Sequence, residues 1–355
     1  MRVRSTNSLP KQPLTVIVGT RGSPLALAQT DIVLSALGKK SKSMNNRRLG
    51  AINFVVEKIK TAGDEDRSSS TTAKKNNNKE EGASRMASYT GKDSFTGALD
   101  GALIDGRIDI AVHSLKDVPV EGFRGDEIEI LAFPKRESPY DVLIPRRKGE
   151  TLATLPPKPR VGTSSIRRAI QLRAARPDLE VVELHGNVGT RISKLRSSDS
   201  DLDAIVLAAA GLKRLGFLSL VEEEAQVLSA KVMLPAVGQG CLAVAVRRRV
   251  RSENDARIRR LVSGIDDKDT RLSVLAERAF SRELGGGCNL PLAALARISK
   301  GLLILEGLVQ VPGPGHESVI ARSKISGHAG RAESLGVELA RRLKKGAYRE
   351  HREEK

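Results

Sequence analysis

The strongest constraint on this chain is a unit that its sequence carries twice. Val18-Gly19-Thr20-Arg21-Gly22-Ser23-Pro24-Leu25 and Val161-Gly162-Thr163-Ser164-Ser165-Ile166-Arg167-Arg168 both read as a strand end, a Gly-Thr turn and the opening of a helix. An aspartate-led apolar run follows each copy, Asp109-Ile110-Ala111-Val112 and Asp203-Ala204-Ile205-Val206-Leu207. β-Branched runs alternating with helix-period stripes predict α/β units, and a repeated unit predicts two similar α/β domains. On these residues alone, chance likeness of two short strand–turn–helix units competes with that reading.

Both copies end their turn at a helix N-terminus, where backbone N–H groups favour an anion. In the first, Ser23 suits the N-cap and Pro24 the first helical position. Leu25, Ala28 and Ile32 supply the stripe, Gly38 is the expected stop, and Arg21 stands at the mouth of the turn. In the second, Arg167 and Arg168 fall in the first helical turn, where each cation opposes the helix dipole at a cost of roughly 0.3–1 kcal/mol. An anion held between them and the backbone resolves the conflict. A third turn, His185–Arg191, and the stretch after Ile205–Ala209 add Arg191 and Arg214 at similar positions. The run Ile108–Val112 reads as a buried strand that stops at His113, Ser114, Lys116 and Asp117, with Pro119 barring its continuation. Open α/β sheets place ligands at such carboxyl ends; a capped turn with a Lys116–Asp117 ion pair is the competing reading.

A chain of 355 residues holds two or three domains. Its net charge of +18 calls for a polyanionic partner or substrate. Nucleic acid is the default suspect, but aromatics are 3% of residues with no Trp, so base-stacking platforms are scarce. Two cysteines cannot build a disulfide framework and point to a reducing compartment. Cys241 opens an apolar run and reads as a core hydrophobe, whereas Cys288 follows Gly285-Gly286-Gly287 and reads as an approachable thiol. No apolar run nears the roughly 18 residues of a membrane helix, and the N-terminus lacks a hydrophobic signal core, reading as a disordered lead. The polar tract 65–90 reads as a mobile loop. Ile52–Ile59 is a further expected strand, Gly97–Ile104 a helix, and Leu234–Gly240 a small-residue hinge. Near the C-terminus, Asp269 or Thr270 is the expected cap of a helix with stripe Leu272, Leu275, Ala276, Ala279, Phe280, stopped by Gly285. A hairpin, Leu302–Val311 with Ser318–Ile325, and a last helix stopped by Gly346 complete the chain.

Seven motifs in order carry a family resemblance: GTRGSPLALAQ (19–29), IDIAVHSLKDVP (108–119), VGTSSIRR (161–168), ELHGNVGTRISKL (183–195), AAAGLKRLG (208–216), LPAVGQG (234–240) and ERAFSRELGGGC (277–288). Together they resemble the porphobilinogen deaminase (hydroxymethylbilane synthase) family. The resemblance implies two periplasmic-binding-protein-like (type II) α/β domains joined by a hinge, plus a small C-terminal α+β domain. The implied boundaries are 14–134 with 239–260, then 138–236, then 264–350. It implies a dipyrromethane cofactor attached covalently through Cys288, on which four porphobilinogen units are joined with loss of ammonia before hydroxymethylbilane is released. Asp117 would be the catalytic carboxylate. Arg167, Arg168, Lys116, Ser114, Thr163, Ser164, Ser165, Arg191 and Lys92 would bind the cofactor; Arg21, Ser23, Gln29, Arg214 and His185 would bind substrate. The resemblance implies a cytoplasmic monomer with no metal, nucleic acid or membrane partner.

The chemistry suits these residue types. Guanidinium forks bind acetate and propionate side chains bidentately, and a carboxylate steadies the cation left when ammonia departs. Two departures weaken the carboxylate grip: His185 stands where the family usually has Arg, and Gly97 where it has a second basic residue, with Arg107 or Lys194 as candidate replacements. The tract at 65–90 is longer than usual and is an expected lid. Two other readings are a polyanion-binding protein such as a nucleic-acid binder, and a non-catalytic solute-binding protein, which has no use for Asp117 or a Gly-flanked thiol.

Overall fold

The computed structural model describes residues 12–44, 51–60, 93–123, 126–221, 224–286, 291–312 and 318–350. In chain order the elements are β1 Leu14–Arg21, α1 Pro24–Ser43, β2 Ile52–Ile59, α2 Asp93–Ile104, β3 Ile110–Ser114, β4 Ile128–Ala132, β5 Asp141–Pro145, β6 Arg160–Gly162, α3 Ile166–Ala175, β7 Glu180–Val182 and α4 Val188–Arg196. They continue with β8 Ala204–Ala208, α5 Ala209–Arg214, α6 Leu218–Val221, β9 Gln226–Val227, β10 Leu242–Arg247, α7 Glu253–Ser263, α8 Lys268–Glu283, β11 Leu292–Ser299, β12 Leu302–Pro312, β13 Ser318–His328 and α9 Ala332–Glu350.

The chain forms two compact units. The first is drawn from 1–113, 122–134 and 243–266, and the second from 114–121, 135–242 and 267–355. The first holds a sheet of order β2-β1-β3-β10-β4 and the second one of order β7-β6-β8-β5-β9. Matching β1, β2, β3 with β6, β7, β8 makes the orders the same. In both, the repeat's first strand lies between two parallel neighbours. This is the type II binding-protein arrangement that the resemblance implied.

The register decides between duplication and chance. Val18 and Gly19 pair with Ile110 and Ala111, the two residues after Asp109. Val161 and Gly162 pair with Ala204 and Ile205, the two residues after Asp203. Asp109 Oδ2 accepts a hydrogen bond from Ile17 N at 2.9 Å, and Asp203 Oδ2 one from Arg160 N at 2.8 Å. Each aspartate also returns its own N–H to that residue's carbonyl, at 2.8 Å in both copies. Packing leaves little room at the glycines: a Cβ on Gly19 would lie 2.3 Å from the Ile108 side chain, and one on Gly162 2.9 Å from that of Leu184, so those side chains would have to shift. The same clasp at the same offset marks one unit used twice.

Some helix ends differ from expectation. Ser23 does cap α1, accepting from Ala26 N. Gly38, however, lies inside α1, which runs on to Ser43, and α9 likewise passes Gly346. A helical glycine costs about 1 kcal/mol against alanine, too little to end a helix where no left-handed residue is needed. The cap of α8 is Asp267, two residues ahead of the expected Asp269, and it accepts from Thr270 N at 2.8 Å.

In the second unit, β11, β12 and β13 form an antiparallel sheet. One face packs on α8 and α9 around Phe280, Leu303, Leu305, Leu335 and Leu339. Gly336 lets α9 approach α8, since a Cβ there would lie 2.3 Å from the Ala276 carbonyl oxygen. The opposite face lays Ala293, Leu295 and Leu308 against Ile170 and Leu234. No helix among the described residues is long and apolar enough to cross a membrane.

Candidate active site

The Asp117 loop begins where the apolar strand β3 runs out. Leu115–Asp117 make one 3₁₀ turn, with Leu115 buried and Lys116 and Asp117 exposed. Leu115 N donates to the Cys241 carbonyl at 3.1 Å, and Gly238 sits over the Leu115 side chain so closely that a Cβ would fall 2.8 Å from it. Arg278 of α8 grips the far side of the loop, donating to the carbonyls of Val118 at 3.2 Å and Pro119 at 2.6 Å. Burial lowers the Arg278 pKa to about 10, which leaves it a cation at neutral pH. Arg282 reaches the Val120 carbonyl at 3.4 Å. Gly286 packs against this same loop: a Cβ there would stand 2.7 Å from Val120 Cγ2. So the helix that leads toward Cys288 braces the loop that carries Asp117. Cys288, Lys92 and the tract 65–90 lie outside the described residues.

Arg167 and Arg168 have found their anion within the chain. Both are buried, and the Asp141 carboxylate, fully buried at the start of β5, lies between them. Arg167 Nη1 donates to Asp141 Oδ2 and to the Leu234 carbonyl, each at 2.7 Å. Arg168 donates to Asp141 Oδ1 through Nε at 3.1 Å and Nη2 at 2.8 Å, and to the Val206 carbonyl through Nη1 at 2.9 Å. Gln239 adds a fourth donor to Asp141 at 3.0 Å. The expectation that an external anion resolves the dipole conflict is corrected here: a side chain 26 residues upstream of Arg167 does so. Burial opposes ionisation of Asp141, but the two guanidinium charges overcome it and hold the carboxyl well below the usual range.

Lys116 completes this cluster. Its side chain is open to water, yet the protein crowding its ammonium lowers its pKa. Asp117 pulls the pKa back up and Arg168 lowers it again. With Arg167, Arg168 and Lys116 against Asp117 and Asp141, the cluster carries one surplus positive charge, which favours an anionic ligand.

The remaining expected residues are placed as follows. Thr163 is buried, and its hydroxyl accepts from Ser165 N at 3.2 Å. Ser164 donates to the Leu184 carbonyl at 2.6 Å, and Ser165 holds the N-cap position of α3 without a side-chain cap bond. Ser114 ends β3. Arg191 donates to the Gly186 carbonyl at 2.8 Å and Arg214 to that of Gly240 at 2.6 Å. In the first unit, Arg21 ends β1, Ser23 caps α1 and Gln29 is buried on α1. His185 is exposed and meets Glu183 at 2.8 Å. Lys194 donates to the His185 carbonyl at 3.3 Å, and Arg107 lies 3.6 Å from Glu57.

His113, next to the last residue of β3, has its ring 5.6 Å from that of Phe123. Burial, and then the Arg21 charge, push its pKa from 6.5 down to about 4. The unfolded chain therefore takes up a proton near pH 6.5 that the folded chain refuses until about pH 4. Above that window His113 has no effect on stability; within it, stability falls as the pH falls. Urea unfolding at pH 7 and pH 5 should show wild type losing about 2 kcal/mol more than His113→Gln between the two. Equal pH dependence in both proteins would remove this assignment.

Comparison with known proteins fixes the family. The family model described as porphobilinogen deaminase, dipyromethane cofactor binding domain, matches residues 16–255, and that of the porphobilinogen deaminase C-terminal domain matches 271–345. The porphobilinogen deaminase of Syntrophus aciditrophicus is 40% identical over 332 residues, covering 94% of this chain and 96% of that protein. That of Moorella thermoacetica is 41% identical over 330 residues, covering 93% of each. The chain belongs to the porphobilinogen deaminase family. Among solved structures, the aliphatic sulphonate binding protein SsuA from Escherichia coli is similar at 12% identity with a TM-score of 0.38, covering 76% of this chain and 70% of that one.

Sequence reasoning missed three buried groups in this member of the porphobilinogen deaminase family: Asp141, Gln239 and the pair Arg136–Glu277. Arg136 forks onto Glu277 at 2.6 and 3.2 Å, while Glu277, fully buried, also accepts from Gly238 N at 2.8 Å and Ala296 N at 2.9 Å. One carboxylate thus ties the small-residue crossing to α8 and β11. The only signal in the sequence was a glutamate within the apolar stretch of α8. Cys241 is buried as expected, and burial pushes its thiol up to about 12, so it is no nucleophile at neutral pH.

Proposed function

We propose that this chain is a hydroxymethylbilane synthase, joining four porphobilinogen molecules head to tail with loss of ammonia and releasing the linear tetrapyrrole. One observation carries the reading: the loop bearing Asp117 is held by the helix that leads, through Gly286, toward Cys288. A group tethered to that cysteine would have a carboxylate and a surplus of cations within the same unit. The residues present fit a cofactor that carries carboxylates, because Lys116, Arg167 and Arg168 outnumber their acidic partners.

In this reading Cys288 holds the dipyrromethane through a thioether, and the group, when bound, supplies the pyrrole carbon to which substrate is joined. Lys116, Ser114, Arg191, Lys92 and the turn Thr163–Ser165 hold acetate and propionate side chains, and Arg167 and Arg168, bound to Asp141, add positive field around them rather than direct contacts; Arg21, Ser23, Gln29, Arg214 and His185 receive substrate. Ionised Asp117 accepts from the pyrrole N–H of the incoming ring. It also offsets the positive charge that develops as ammonia leaves the aminomethyl carbon. Its exposure lets successive rings reach it. The reading extends to a monomer acting in the cytoplasm.

Intact-protein mass spectrometry tests it. Purified protein should carry a covalent excess equal to two pyrrole units, absent in Cys288→Ser, and further increments, each of one porphobilinogen less one ammonia, should appear when substrate is added. A purified protein at its bare polypeptide mass, unchanged by porphobilinogen, would overturn the proposal.

A further inference from the structure

The face of the three-stranded sheet turned away from α8 and α9 is only partly covered. Beyond Leu295 and Leu308 it opens into a cavity of about 770 Å³ between that sheet and the 227–231 segment, a volume suited to a small molecule. Arg322 braces the cavity. It donates to the carbonyls of Lys231 at 2.8 Å and Ala230 at 2.5 Å, and to Glu306 Oε1 at 2.9 and 2.6 Å. That guanidinium and the carboxylate are therefore committed to each other. Lys231, Lys324 and Arg297 also line the cavity, Arg297 lying 4.0 Å from Glu306 Oε2 and 3.5 Å from the Tyr140 hydroxyl. Four cations against one acid leave a strong local excess of positive charge, while Ile304, Val227 and Ala230 give apolar wall.

We propose that this cavity is a second ligand site, separate from the Asp117 cluster, that binds an organic anion with two or more carboxylates. Several spread cationic heads match several carboxylates better than one compact charge. The apolar wall favours an anion with a carbon body over inorganic phosphate. No step at Asp117 or Cys288 enters this inference, so it stands or falls independently of the reaction proposed above.

Calorimetric titration of the full chain as purified tests it, with citrate as the probe and inorganic phosphate as the comparison. Because the Asp117 cluster also has cations, the readout is the number of citrate sites lost on substitution. Arg297→Glu combined with Lys324→Glu should abolish one saturable site or weaken it more than about tenfold. Arg341→Glu combined with Arg342→Glu removes the same charge from α9 and should retain that site within about twofold. Phosphate should bind the cavity at least about tenfold more weakly than citrate. An unchanged site count in the cavity variant, equal weakening in both double variants, or phosphate binding as tight as citrate would each overturn the proposal.

Discussion

Asp117→Ala should fold as wild type does and lose turnover by about two to three orders of magnitude. The fold is expected to survive because Asp117 is exposed, and the loop is held by Leu115, Arg278 and Arg282 rather than by the carboxylate. Turnover is expected to collapse because nothing replaces a negative charge where a cation forms. The measurement is hydroxymethylbilane formation by protein whose mass shows the cofactor in place, alongside the unfolding curve. Asp117→Asn, which accepts a hydrogen bond without charge, should fail nearly as badly. Either variant turning over within twofold of wild type would remove the role given to Asp117.

Asp141→Ala should produce the largest loss of stability. It strips the carboxylate from between two buried guanidiniums, and breaking a buried ion pair by removing one partner costs about 3–5 kcal/mol. Arg167 and Arg168 would then face each other and the positive end of α3. Asp141→Asn retains shape and one acceptor and should lose somewhat less. The pH dependence has a fixed sign. The folded pKa of Asp141 lies below the unfolded value, so its contribution is complete above about pH 4 and declines as the pH drops further. Urea unfolding at pH 7 should therefore show the full gap between wild type and variant. A loss below about 1 kcal/mol would mean that the pair contributes little.

The α/β halves were legible because their signals are local. A β-branched run, a glycine in a crowded turn, a serine at the N-cap position and an aspartate-led strand each sit within a few residues of what they specify, and the two copies agree in these positions. What the sequence concealed was pairing at a distance. Asp141 meets Arg167 and Arg168 from 26 and 27 residues away, and Arg136 meets Glu277 from 141. No periodicity marks such partners, so the dipole conflict at α3 pointed correctly to an anion but wrongly to one from outside. The end of α1 and the cap of α8 differ from expectation for a different reason. A glycine ends a helix only where a left-handed residue is needed, and three possible caps within four residues, Asp267, Asp269 and Thr270, compete for one position. The roles of Asp117 and Cys288 came from the ordered set of motifs, since a lone Lys-Asp turn or a Gly-flanked thiol has several structural uses.

The aspartate clasp bears on how this architecture could diverge. Each parallel pair is latched by a single side chain reaching the residue ahead of Val-Gly, so closure of each half-sheet depends on only a handful of positions. The residues beyond Gly-Thr are then released from holding strands together. One copy continues as Arg-Gly-Ser-Pro and the other as Ser-Ser-Ile-Arg: an inherited latch, with two different mouths built upon it.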